Sequence, residues 1–178
     1  MTTWVALLRG VNVSGVTIRS ADLASLFRDE LGFGEVRTVL ASGNVRFETD
    51  TVPAGRARLK AVVERALRDR FSYDAWIVLV TLDELATAAH DFPFPADDPS
   101  RQPYVVFCSD EAVLGELTEV AAAGDAEQDP AHAGAGVLYW SPEKGRSTDT
   151  PFAKVLARTR YRQTTTTRNL RTLAKIIG

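Results

Sequence analysis

The chain has 178 residues, 45% hydrophobic and 25% charged, with a formal net charge of −2. That is globular composition with room for one large domain or two small ones, and no run approaches the ~20 apolar residues of a membrane span. A single cysteine, Cys108, leaves no internal disulfide to form, which fits a reducing, cytoplasmic setting.

The N-terminal MTTWVALLRGVNV lacks the basic start and small-residue cleavage site of a secretion signal. Its apolar run, WVALLRGVNV (4–13), predicts a buried strand that ends at the turn-prone Asn12, Ser14 and Gly15. SADLASLFRDELGFG predicts a helix with Ser20 as its N-cap. Leu23, Leu26, Phe27 and Leu31 form its core stripe, and Gly32 ends it. VRTVLASGNVRFET (36–49) predicts two strands around Ser42-Gly43-Asn44, since Val45 and Phe47 alternate with Arg46 and Glu48. GRARLKAVVERALRDRF (55–71) is the clearest helix, with Leu59, Val62, Val63, Ala66 and Leu67 facing one side. WIVLVT (76–81) is a further strand.

The order β-α-β-β-α-β is that of the ferredoxin-like plait. The predicted fold class is α+β, with residues 1–81 as the first such subdomain. WIVLVT and WVALL are apolar on both faces, and a lone plait would leave one face bare. The second half is therefore expected to cover it.

In that half LDELATAAH (82–90) predicts a helix, the proline-rich 90–103 a loop, PYVVFCS (103–109) a strand and EAVLGEL (111–117) a helix. Residues 121–136 predict a loop holding at most a short strand, and GVLYWSP (136–142) a strand. Two helices are expected near 150–159 and 166–177. Residues 82–178 thus read as a second plait-like subdomain, incomplete or permuted, with basic C-terminal helices. No sequence repeat relates the halves.

Charge is unevenly placed. Nine basic against two acidic residues leave +7 in residues 143–178, whereas twelve against twenty-one leave −9 in residues 1–142. A basic tail attracts an anionic ligand or neutralises the acidic body. With two histidines in separate segments and one cysteine, no zinc-site spacing exists, and no metal or cofactor is expected. The G-x-S-x-G, Walker and G-x-G-x-x-G motifs are absent. Phe47 alone stands where an RNA-recognition sheet would carry its aromatics.

The remaining candidates are polar residues in unusual places. Asn12, Asn44 and Asn169 are the chain's three asparagines. The first two suit turns, the third packing against a loop, and all three suit a ligand. Arg9 interrupts an apolar strand and needs either an acid such as Glu48 or a ligand. TTTTRNLRTLAKIIG (164–178) predicts a final helix starting at Thr167 or Arg168. Leu170, Leu173, Ala174 and Ile177 would face its core, and Arg168, Arg171 and Lys175 would line another face. One threonine suffices to cap such a helix. Four of them beside Arg168 also suit an anion site at its free N–H groups, which Ser147, Thr148 and Lys154 at the preceding helix would join.

ALLRGVNVSG (6–15), LASGNVRF (40–47), DFPFP (91–95), LYWSPEKG (138–145) and TTRNLRTLAK (166–175), in this order, resemble the bacterial domain-of-unknown-function 1697 family over almost the whole chain. The resemblance implies two ferredoxin-like subdomains in one protein and implies no activity. Two departures stand out. Ser14-Gly15 replaces the two glycines usual there, and Leu170 replaces the tryptophan usual after the Arg-Asn pair.

The expected function is a binding module. An anionic ligand, phosphorylated or carboxylated, with nucleotide and RNA among the candidates, would lie between the subdomains on Arg9, Asn12, Ser42, Gly43, Asn44, Lys154, Thr167, Arg168 and Asn169. Alternatives are an interaction protein, monomer or homodimer, and an enzyme on a small anionic substrate, for which a general base is missing.

Overall fold

The computed structural model describes residues 1–11, 16–72 and 74–178. The chain divides into two compact units, Met1–Leu85 with Lys175–Gly178, and Ala86–Ala174.

The first unit contains β1 (Thr2–Arg9), α1 (Ser20–Ser25) continued by a π-helical turn (Leu26–Glu30), β2 (Gly34–Thr38), β3 (Asn44–Thr49), α2 (Arg56–Phe71) and β4 (Trp76–Thr81). Its sheet order is β2-β3-β1-β4, with every neighbouring pair antiparallel. Alternation along β1 sends Trp4, Ala6 and Leu8 into a core shared with Leu23, Leu26 and Phe27 and with Leu59, Val63 and Leu67 of α2. Phe33 stacks on Phe47 at 4.7 Å between centroids, and Phe27 meets Phe47 edge-on. Val5, Leu7, Val78 and Val80 take the opposite face and are buried as well.

Helix starts differ in detail from expectation. α1 begins at Ser20 with no side-chain cap; Arg19 instead pairs with Asp22 of the first turn. Gly32 does adopt the left-handed conformation that ends the segment, at φ +69°. Val62 of α2 is exposed rather than part of the core stripe. α3 (Leu82–His90) starts with a reciprocal box, in which Glu84 N–H donates to Thr81 Oγ1 and Thr81 N–H to Glu84 Oε2.

The second unit contains β5 (Tyr104–Cys108), α4 (Glu111–Ala122), β6 (Ala131–Gly134), β7 (Val137–Trp140), α5 (Pro151–Leu156) and β8 (Thr165–Asn169). Its sheet order, β6-β7-β5-β8, reproduces the first position for position. Both subdomains are thus ferredoxin-like plaits, and the second is complete rather than incomplete or permuted. The strand that completes it is β8, formed where the start of the last helix is expected from the sequence. Its five residues pair antiparallel with β5, from Tyr104–Asn169 to Cys108–Thr165. β-Branched side chains lose rotamer freedom in a helix and fit a pleated surface, so three threonines in five positions favour the strand. The last helix, α6, runs only from Leu170 to Ile177. Leu173 and Ile176 are its buried apolar residues, while Ala174 and Ile177 are exposed.

The last turn of α6 belongs to the first unit. Arg46 Nη1 donates to the carbonyls of Ile176 and Ile177, at 3.3 and 2.9 Å, and Arg37 Nη2 to that of Lys175 at 3.3 Å. Arg37 and Arg46 are direct cross-strand partners, an arrangement that repels. The carbonyls at a helix C-terminus carry the negative end of its dipole and offset that repulsion.

Each plait ties its first strand to the turn before its third in the same way. Leu8 N–H donates to Gly43 O at 2.8 Å, and Cys108 N–H to Gly136 O at 3.1 Å. Both glycines have positive φ, +78° and +69°. A Cβ on Gly43 would also lie 2.9 Å from Leu8 Cβ. Gly43→Ala is therefore expected to cost about 2–4 kcal/mol from backbone strain plus overpacking. Gly32→Ala, strained but with open space around it, should cost about 1–2 kcal/mol. Urea midpoints of the two variants check the ranking, and an equal loss would remove the packing contribution at Gly43.

Candidate functional site

The residues expected to share one ligand fall in two units, each described by itself. In the first, β1 ends at Arg9 beside the loop that joins β2 to β3. Asn44 stands opposite Leu7, and Gly43 accepts the Leu8 N–H, so Arg9, Ser42, Gly43 and Asn44 gather at one end of the sheet. Asn12 lies outside the described residues. Asn44 is fully buried, and its Nδ2 donates to Val39 O at 2.8 Å and Ser42 Oγ at 3.0 Å. These bonds, with Val39 N–H on Asn44 O, hold the loop closed, which is a turn role for Asn44. Leu40 in this loop is exposed and sits at φ +60°. Arg9 does not meet Glu48. That acid stands opposite Thr3, whose hydroxyl it accepts, six positions along β1 and thus about 20 Å from Arg9.

In the second unit, strand geometry separates residues that a helix would have grouped. Arg168 lies opposite Val105, whereas Thr167 and Asn169 lie opposite Val106 and Tyr104. Successive side chains on a strand point to opposite faces. Arg168 is buried, and its Nη1 donates to Thr166 Oγ1 at 2.7 Å and Thr167 O at 2.9 Å. Asn169, not a threonine, caps α6 by accepting the Thr172 N–H at 2.8 Å, and Leu170 N–H donates to Pro103 O.

The other helix starts in this unit are also occupied by the chain itself. Asp110 accepts the N–H groups of Ala112 and Val113 at the head of α4. At α5, Thr150 accepts from Ala153 N–H and the buried Asp129 from Phe152 N–H at 3.2 Å. Asp129 also accepts the Trp140 indole N–H at 2.9 Å. An internal carboxylate thus satisfies the dipole at the start of α5, the helix that Ser147, Thr148 and Lys154 flank.

A further group of exposed positive charge follows. After α5 the backbone turns repeatedly, with N–H to carbonyl bonds from Arg158 to Val155, Tyr161 to Arg158, Arg162 to Thr159 and Thr164 to Tyr161. The Thr159–Tyr161 stretch is 3₁₀-helical. Tyr161 anchors this corner in the core beside Leu117, Phe152 and Leu156 and donates its hydroxyl to Glu116 at 3.3 Å. Arg160 lies over the Tyr161 ring and pairs with Glu116. Lys154, Arg158 and Arg162 are exposed. Among the described residues no carboxylate pairs with any of these three. Sequence reasoning counted Arg158 and Arg162 in the basic tail but not in the site; the signal was four cations in nine residues, 154–162. Thr164 Oγ1, at the end of the corner, is buried with no hydrogen-bond partner among the described residues.

Burial pushes the Cys108 thiol pKa up, and its sulfur donates to Asp110 O, which describes an unreactive small side chain. His90 and His132 are exposed, and His90 lies against Asp91. Among the described residues no three His, Cys, Asp or Glu side chains group as a metal site, and no helix is long and apolar enough to cross a membrane.

Asp129→Ala removes both a buried acceptor and the counter-charge of α5. It is expected to lower stability by about 3 kcal/mol, since two charge-assisted bonds are lost and two buried donors are orphaned. Chemical denaturation checks this, and a loss below about 1 kcal/mol would mean that solvent reaches those donors.

Among curated proteins none matches the chain. It is similar to a solved structure described as that of conserved bacterial protein SP0830 from Streptococcus pneumoniae. The two are 21% identical with a TM-score of 0.79, over 98% of this chain and 96% of that one. At this identity the likeness shows the fold. Residues 1–139 match the family described as "Protein of unknown function (DUF1697)", and the chain belongs to that family.

Proposed function

We propose that this chain is an anion-binding module of the cytoplasm whose ligand is phosphorylated or carboxylated. The observation that carries the reading is Lys154 of α5 with Arg158 and Arg162 of the Tyr161-anchored corner that follows it, three exposed cations that no carboxylate pairs among the described residues, Glu116 at the same corner being taken by Arg160 and Tyr161. Arg19, Arg28, Arg56, Arg70 and Arg146 each pair with a carboxylate, and what distinguishes Lys154, Arg158 and Arg162 is their four-residue spacing at exposed positions along one stretch. Three neighbours that keep their charge, on a backbone fixed by its own turns, give an anion a site ordered in advance. Arg9, Ser42, Gly43 and Asn44 form a second polar group in the other unit and remain secondary candidates, as do Asn12, Thr167, Arg168 and Asn169.

An amide NMR titration with inorganic phosphate tests the reading. The resonances of residues 154–164 should shift saturably and before those of other segments. Arg158→Glu combined with Arg162→Glu should abolish the response. Uniform small shifts across the protein, or none, would defeat the proposal.

A further inference from the structure

We propose that the anion met by this corner is the phosphate backbone of a nucleic-acid duplex, contacted at several phosphates and without base stacking. This rests on the anion-binding reading and names its ligand class.

A pocket for one small anion needs donors that converge. The positions in this unit best suited to that task, the starts of α4, α5 and α6, are filled by Asp110, by Asp129 with Thr150, and by Asn169. Lys154, Arg158 and Arg162 instead recur every four residues at exposed positions along the chain. Lys154 stands in the last turn of α5, and Arg158 follows just beyond the end of that helix. A duplex presents one charge per ~1.7 Å of its axis, so several phosphates lie within reach of such a row. Single strands are held largely by aromatic stacking. The aromatic residues that flank these cations, Phe152 and Tyr161, are each 3% exposed and committed to the core. What the corner offers is charge without a stacking surface. The chain's net charge of −2 does not oppose this locally, because at 0.1 M salt acids farther than ~10 Å away are screened.

Fluorescence anisotropy with a labelled 20-base-pair duplex, in DNA and RNA versions, and the matching single strand provides the test. Three phosphate contacts predict a slope of about −2.7 in log affinity against log salt, hence an affinity loss of about 40-fold between 50 and 200 mM KCl. Arg158→Glu with Arg162→Glu should weaken binding at least ~10-fold and reduce the slope magnitude by about 2. Arg58→Glu with Arg65→Glu makes the same charge change on α2 and should alter neither. A flat salt response, equal losses in both double variants, tighter binding of the single strand, or tighter binding of inorganic polyphosphate than of either duplex would overturn the proposal. If phosphate shifts residues 154–164 but the duplex binds no more tightly than free phosphate, the duplex assignment falls and the anion reading stands. If phosphate gives no response, both fall.

Discussion

The pairing of Thr165–Asn169 with Tyr104–Cys108 governs the second unit. Five residues on the edge of that sheet take strand geometry, and the consequences follow from the pleat. Arg168 turns to one face and is buried, while Thr167 and Asn169 turn to the other. Asn169 then stands where α6 must begin and caps it. If the same residues were helical, Arg168, Arg171 and Lys175 would align as one basic stripe and the threonine hydroxyls would crowd a helix start. One ladder of backbone hydrogen bonds therefore decides which cations are internal and which face water.

The fate of the basic residues then becomes a matter of local partners. Arg37 and Arg46 are spent on the carbonyls of the last α6 turn. Arg56 donates to Leu79 O, lies over Trp4 and pairs with Glu84. Arg101 ties its loop to the carbonyls of Ser141 and Glu127. Each performs a structural task that an end-to-end count of charge does not register. Exposed ion pairs contribute little, typically under ~1 kcal/mol, so Arg146–Asp149 and Arg160–Glu116 matter here less for stability than for lowering the charge available to a ligand.

The first plait was legible because its strands and helices carry opposite periodicities. WVALLR, NVRFET and WIVLVT are short apolar or alternating runs, and α2 is a long stripe. The second was half legible, and its main error lies in one segment. TTTTRNLRTLAK contains a strand and a helix with no glycine or proline between them. The helical period of Leu170, Leu173 and Ile177 spreads backward over residues whose β-branching argued otherwise. β6, Ala131–Gly134, has no large apolar residue, so its pairing with β7 left no mark in composition. The Asn44 turn was visible from Gly43-Asn44 alone. Asp129 was not, because nothing local distinguishes a buried helix-facing carboxylate from the exposed acids around it.

The two plaits offer an internal comparison that separates what the fold requires from what it does not. Both have a positive-φ glycine, Gly43 or Gly136, whose carbonyl receives an N–H near the end of the first strand. They differ in how the second helix hands over to the last strand. α2 runs sixteen residues and reaches β4 after four more, residues 72–75. α5 stops after six, and residues 157–164 fold as the corner before β8. Topology and sheet order are the same in both, so neither the early stop nor the eight-residue connection is a condition of closing the plait. Nor does burial explain its composition, since Tyr161 alone would anchor it, yet Arg158, Arg160 and Arg162 surround that anchor with charge. A segment that the architecture can do without, closed by its own backbone turns and rich in cations, is where a function laid over the fold is expected to lie.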